Sequence, residues 1–222
     1  MLINPRRTAA FFLLGTALIL ACNSGVVHSD DADGSDNPGS GAGKEIVFRV
    51  QVSKVGLQSS SLVQGKKPTD WVEVRLSGEL FNPPLKILPI ERSAASWETP
   101  LEAAKSDFSA FKADDKDWIL ENFSLEDRES VESFLNNAAM RERNRKIFEA
   151  KEFREIKGSC EHNGYVIVMA RGNGQPRFAP LTFKKSVEGW KRTNELSADE
   201  VFDIVFSALM NGGEVKGGET PE

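Results

Sequence analysis

Few side chains in this 222-residue chain are suited to covalent or acid–base chemistry: two histidines, His28 and His162, two cysteines, Cys22 and Cys160, and one tyrosine, Tyr165. Cys160, His162 and Tyr165 cluster in sequence, and a thiol beside an imidazole has the composition of a nucleophile with its base. On one strand, however, same-face side chains at i and i+2 lie about 7 Å apart, beyond direct proton transfer. His162 and Tyr165 flank Asn163-Gly164, and a hairpin tip is too well solvated to tune a general base. His162 is therefore expected to be a surface turn residue, and Cys160, which would face Ile167, a buried and unreactive thiol. No GxSxG elbow, HExxH helix, P-loop or CxxC pair occurs. Asp31, Asp33 and Asp36 match a calcium loop only in part, because the glycine falls at the fourth place and no distal Glu follows. No metal, cofactor or catalytic residue is expected, and His28 is read as inert.

The elements that would position these residues are legible from periodicity. Phe153 to His162 and Tyr165 to Arg171 predict a hairpin whose Asn-Gly pair suits a type I′ turn, with His162 facing Tyr165, Cys160 facing Ile167 and Gly158 facing Met169. A second hairpin is predicted from Phe178 to Ser186 and Trp190 to Leu196. Leu181, Phe183, Trp190, Asn194 and Leu196 would face inward, and Thr182, Lys184, Lys191 and Thr193 outward. Thr99-Pro100-Leu101-Glu102 reads as a capping box opening a helix with Leu101, Ala104, Phe108 and Phe111 on one face. Asp114-Asp115 caps a short segment with Trp118 and Phe123, and a third helix is expected from Ser124 through Ile147 and Phe148. Its cationic run, Arg141 to Lys146, is read as a solvated face. Ser197 to Glu200 predicts a cap for a last helix that stops at Gly212.

Upstream, Glu45 to Val55 and Trp71 to Leu80 alternate as half-buried strands. The stretch between them is long and polar, and Asn82-Pro83-Pro84 is expected to break the chain, leaving Leu85 to Ile90 an edge strand. Residues 44–97 are thus expected to form a small β unit, residues 98–212 an α+β domain, and residues 213–222 a disordered tail.

Residues 1–21 carry Arg6 and Arg7, then an uncharged run, Ala9 to Ala21, too short for a permanent span. Ile19-Leu20-Ala21-Cys22 resembles the lipobox of bacterial lipoproteins. That resemblance implies cleavage between Ala21 and Cys22, a diacylglyceryl group on the Cys22 sulfur and acylation of the new amino terminus, so that the membrane is a partner through lipid. Asn23 is not the aspartate associated with inner-membrane retention, and the expected address is the outer membrane, facing the periplasm. Asn23 to Gly43 is acidic and rich in Gly and Ser, a flexible tether of about 25 Å. Removing the leader leaves 26 basic against 33 acidic side chains, a formal charge of -7. No cationic field favours phosphate backbones, and no nucleic acid partner is expected.

From Thr99 to Gly212, helices followed by an antiparallel meander and a final helix are similar to the cone-shaped fold of the nuclear-transport-factor-two-like (NTF2-like) superfamily, in which helices pack on a curved antiparallel sheet. The fold class expected is therefore α+β, an NTF2-like cone preceded by the small β unit. That superfamily holds both enzymes and binding modules, so the fold leaves activity open. The residues would form a pocket from Asn194, Tyr165, His162 and Trp190. The expected function is a non-catalytic envelope lipoprotein that binds a protein or small ligand. The alternative is a small cone-fold enzyme using Asn194, Tyr165 or His162 with an acid such as Glu161.

Overall fold

A computed structural model describes residues 44–217. The leader, the Ala21–Cys22 junction, the acidic tether and residues 218–222 lie outside the described residues.

Every strand among the described residues belongs to one antiparallel sheet. Its strands are β1 (Glu45–Gln51), β2 (Trp71–Ile87), β3 (Arg154–His162), β4 (Tyr165–Gly172), β5 (Ala179–Ser186), β6 (Gly189–Arg192) and β7 (Glu214–Gly217), in the order β6-β5-β4-β3-β2-β1-β7. The helices are α1 (Pro100–Ala113), α2 (Lys116–Glu121), α3 (Leu125–Asn136), α4 (Ala138–Glu149) and α5 (Glu200–Met210). The architecture is α+β, as expected.

Alternation makes β1: Ile46, Phe48 and Val50 are buried on one face and pair with Leu76, Val74 and Val72 of β2. Residues 44–97 give both strands to the same sheet that holds β3 to β6. The join is β2, which runs through Pro83 and Pro84 instead of breaking there. It pairs with β3 at Gly78 to Leu80 and again at Leu85 to Ile87, with a bulge between. β1 pairs only as far as Ser77, so the prolines fall where β2 has no strand on its other side among the described residues, the position in which a missing N–H is tolerated.

The first hairpin has the expected register, including His162 opposite Tyr165 and Cys160 opposite Ile167. Asn163 and Gly164 both take positive φ, 51° and 80°, the pair of left-handed residues that a type I′ turn requires. Consecutive β4 residues then serve different cores. Ile167 and Met169 pack with β1 and α5, whereas Val166, Val168 and Ala170 pack with Ala103 and Ala104 of α1. Helices therefore cover both faces of the sheet, not one. Burying side chains such as Phe48, Ile167 and Phe183 contributes roughly 1.5–3 kcal/mol each.

Thr99 and Glu102 form the expected capping box on α1, and Asp115 caps α2. The expected third helix is two, because Asn137 is extended and its side chain caps α4 by accepting from Met140 N. The last helix is capped by Asp199, not Ser197: its carboxylate accepts from Phe202 N, and Glu195–Ala198 forms a short 3-10 turn before it. The chain beyond Gly212 is a further correction, since Glu214–Gly217 pairs with β1.

Three residues expected to face solvent are buried: Thr182, Lys191 and Thr193. The helices after α1 account for two of them. Ser124 N, at the start of α3, bonds Arg192 O, and Asp127 of α3 accepts from Thr193 Oγ1 at 2.8 Å. The Lys191 ammonium donates to Glu121 O at the end of α2 at 2.8 Å and lies 4.3 Å from the centre of the Trp97 ring. Burial pushes its pKa down and Glu188, 3.8 Å away, pulls it partly back, while the helix C-terminus and the indole face add negative potential. Thr182 Oγ1 donates to Thr193 O.

Candidate functional site

Among the described residues the most buried charged side chain, Asp107, lies where α1 crosses the sheet. Asp107 on α1 is fully buried, and both of its carboxylate oxygens accept from arginines: Oδ2 from Arg154 Nη1 and Oδ1 from Arg192 Nη1, each at 3.0 Å. Arg154 starts β3 and is 5% exposed; Arg192 ends β6 and is 9% exposed. Arg154 Nη1 also donates to Ala104 O at 3.2 Å, and its guanidinium lies 5.0 Å from the Phe108 ring centre. Arg192 lies 5.1 Å from the Phe123 ring centre. Burial pushes the Arg154 pKa down and Asp107 pushes it back up, while neighbouring Arg192 adds a smaller downward push. Two guanidiniums share one carboxylate, so the cluster carries one surplus positive charge inside the fold. Buried cations are costly unless paired, and the aromatic faces offset part of that cost.

Each arginine borders a cleft, and the two clefts share Ala179 and Leu181 of β5. This arises because β6 pairs only with Phe183 to Ser186, leaving the first half of β5 at the sheet edge. One cleft, about 40 Å³, is lined by Thr182, Arg192, Thr193 and Asn194 and closed by Phe202 and Phe206 of α5. The other, about 30 Å³, lies between the end of α4 and the ends of β3 and β4, lined by Phe108, Ile147, Phe148, Lys151, Arg154 and Gly172 among others. Neither has the roughly 300 Å³ of a drug-sized pocket. Each has room for a small group or two or three waters.

The residues singled out from the sequence do not converge on one pocket. Asn194 lines the first cleft, with its Nδ2 donating to Asp127 Oδ1 at 3.2 Å. Tyr165 packs against the α5 side of the sheet and donates to Glu195 Oε2 at 2.5 Å; Lys184 Nζ reaches the same carboxylate at 3.0 Å. The Glu195 hydrogen bond pushes the Tyr165 pKa up, opposite to what a phenolate base requires. Trp190 packs with the α1 side of the sheet, away from Tyr165. His162 is not a free turn residue: its ring Nε2 lies 2.9 Å from Asp199 Oδ1, and its side chain is only 12% exposed. Glu161, the acid offered for an enzymatic reading, is exposed and sits opposite Val166 in the hairpin.

Cys160 is buried, and burial pushes its thiol up to about 12. The cationic run of α4 is a solvated face: Arg145 pairs with Glu142 and Glu149, Lys146 with Glu142, and Arg141 with Asp114. Among the described residues no group of three His, Cys, Asp or Glu could hold a metal ion, and no helix is long and apolar enough to cross a membrane.

The Asp107 cluster was not singled out from the sequence. Its three members stand far apart in the chain, and each reads alone as an ordinary surface charge. The one available signal was Asp107 in the middle of an apolar helix face, beside Phe108. Compared with protein-family models, with curated proteins and with solved structures, the chain has no match.

Proposed function

We propose that this chain is a lipid-anchored protein of a bacterial envelope whose folded part is a non-catalytic binding module. The observation that carries the reading is Ile19-Leu20-Ala21-Cys22 at the end of a short uncharged run preceded by Arg6 and Arg7. In this reading Cys22 bears the lipid, the acidic stretch to Gly43 is the tether, and the outer membrane facing the periplasm is the address. Two or more acyl chains give the stable attachment that one chain does not.

The chemistry of the folded part favours binding over catalysis. The surplus buried charge belongs to guanidiniums, which stay protonated and orient anions but do not shuttle protons at neutral pH. The Cys160 thiol is held far from thiolate form, and the His162 ring is engaged with the cap of α5. A likeness to the NTF2-like cone belongs to the same proposal. It is supported by helices preceding the β3–β6 meander, while α5 on the opposite face is an addition to the simplest form of that fold.

Intact-mass measurement of the protein from its native host tests the anchor. The expected result is loss of residues 1–21 and the added mass of a diacylglyceryl group and an acyl chain, with Cys22→Ala abolishing both. A chain that keeps its leader, or carries an unmodified residue 22, overturns the reading.

A further inference from the structure

We infer that the cleft at Arg154 is a site for the carboxylate of a small organic acid, with the acid's apolar part against Ile147, Phe148 and Leu181; this rests on the binding role proposed above and names its ligand chemistry.

Charge supplies the first argument. Arg154 and Arg192 divide one carboxylate between them, so among the described residues this region of the core has one positive charge without a counter-ion. Lys151 adds a second cation at the cleft. Its stem lies across Gly172, where an added Cβ would come within 2.8 Å of Lys151 Cδ, and its ammonium donates to Asn173 O at 2.8 Å. Lys112 stands behind, donating to Lys151 O at 2.6 Å and toward Glu149 O. The partners of both lysines are main-chain carbonyls, which leave the ammonium charges unneutralised. No acidic residue among those described lines the cleft. Arg171 and Glu155 border the same strand ends but pair with each other, and Arg171 stacks on Phe178, which packs with the core on the α5 side.

Donor geometry supplies the second. Arg154 makes its bonds to Ala104 and Asp107 through Nη1 alone, and a guanidinium carries five N–H donors in a planar fork that matches a carboxylate. Nε and Nη2 take no part in those bonds. A side chain buried to this degree, with donors to spare at the wall of a cleft, is built for an anion.

The walls and the volume fix the rest. Phe108, Ile147, Phe148 and Leu181 give an apolar lining, which suits a carbon chain and penalises a fully hydrated oxyanion. About 30 Å³ accepts the carboxylate alone, so the carbon chain of the acid would lie along the apolar wall toward the mouth.

The test is a ligand-observed NMR titration of the full chain with hexanoate, with hexan-1-ol and inorganic phosphate in parallel. Saturable hexanoate binding is expected, with neither comparator saturating in the same range. Arg154→Lys keeps the charge and loses the fork, and Lys151→Gln removes one cation at a half-exposed position and guards against a folding defect in the first variant. Each is expected to weaken hexanoate about tenfold. Absent saturation, equal binding of the alcohol, equal binding of phosphate, or wild-type affinity in both variants overturns the proposal. Conversion of hexanoate to new resonances would instead overturn the non-catalytic role and leave the site standing.

Discussion

His162 Nε2 lies 2.9 Å from Asp199 Oδ1, and the same oxygen accepts from Phe202 N at 2.8 Å. One carboxylate thus caps α5 and ties the tip of the β3–β4 hairpin to it. The helix packs on β1, β2 and β5, so its first turn fixes one face of the sheet. Asp199→Ala removes both bonds and is expected to cost about 1–2 kcal/mol, measured by urea unfolding. His162→Ala removes only the clip and should cost less. Equal losses in the two variants would refute this division of roles.

The same carboxylate gives an acid dependence. Burial pushes the Asp199 pKa up, but the Phe202 N–H and His162 pull it further down, and the net result lies below its ordinary value. The group therefore binds protons more weakly folded than unfolded. Its stabilisation is present above the unfolded pKa of about 3.9 and is lost as pH falls through the lower folded value. Unfolding midpoints measured from pH 5 to pH 2 should fall less steeply in Asp199→Asn than in the wild type.

Asp203, one turn further along α5, has the opposite sign. Burial pushes its pKa up, and the backbone N–H groups of Leu57 and Gly56 only partly reverse this. The folded chain then binds the proton more tightly, so the contribution is greatest at low pH and declines as pH rises through the window above about 3.9. Asp203→Asn should remove that decline. The comparison to make is the slope of unfolding free energy between pH 4 and pH 6; an unchanged slope would show that Asp203 binds its proton no more tightly folded than unfolded.

Removing Asp107 should be among the most damaging single changes. Asp107→Ala leaves Arg154 and Arg192 facing each other without a counter-charge, and breaking a buried ion pair in this way costs about 3–5 kcal/mol. Urea unfolding of the purified variant should show a much lower midpoint, or no folded baseline. A wild-type midpoint would mean that water already carries the two guanidiniums.

Elements held together by neighbours in sequence were legible, and those made by distant pairs were not. The β3–β4 register followed from Asn163-Gly164 alone, and the α1 cap from Thr99 and Glu102, because both are local hydrogen-bond patterns. The burial of Lys191 and Thr193 depended on α2 and α3 folding back over β6, which no periodicity within the hairpin reveals. The stretch from Gly56 to Pro68 read as polar, yet Val63 joins the core because Asp203 and Glu200 of α5 bind the main chain at Leu57 and Ser61. The candidate site failed for a related reason. Alternation placed Tyr165 and Trp190 on strands of one sheet, but did not tell that helices cover both sheet faces and draw the two rings apart.

Cys160 offers a direct probe of how firmly the sheet is closed. Its side chain lies between Ile167 across the hairpin and the α5 core, and a thiol pushed up to about 12 presents almost no thiolate at pH 8. In Cys22→Ser, where it is the only thiol left in the chain, modification by an aromatic disulfide reagent should be slow in buffer and fast in urea. Protection should disappear across the same urea range as the helical circular-dichroism signal, because reaching the sulfur requires β3 to leave both β4 and α5. Rapid modification of the folded chain would mean that β3 opens locally, at a free energy well below that of global unfolding.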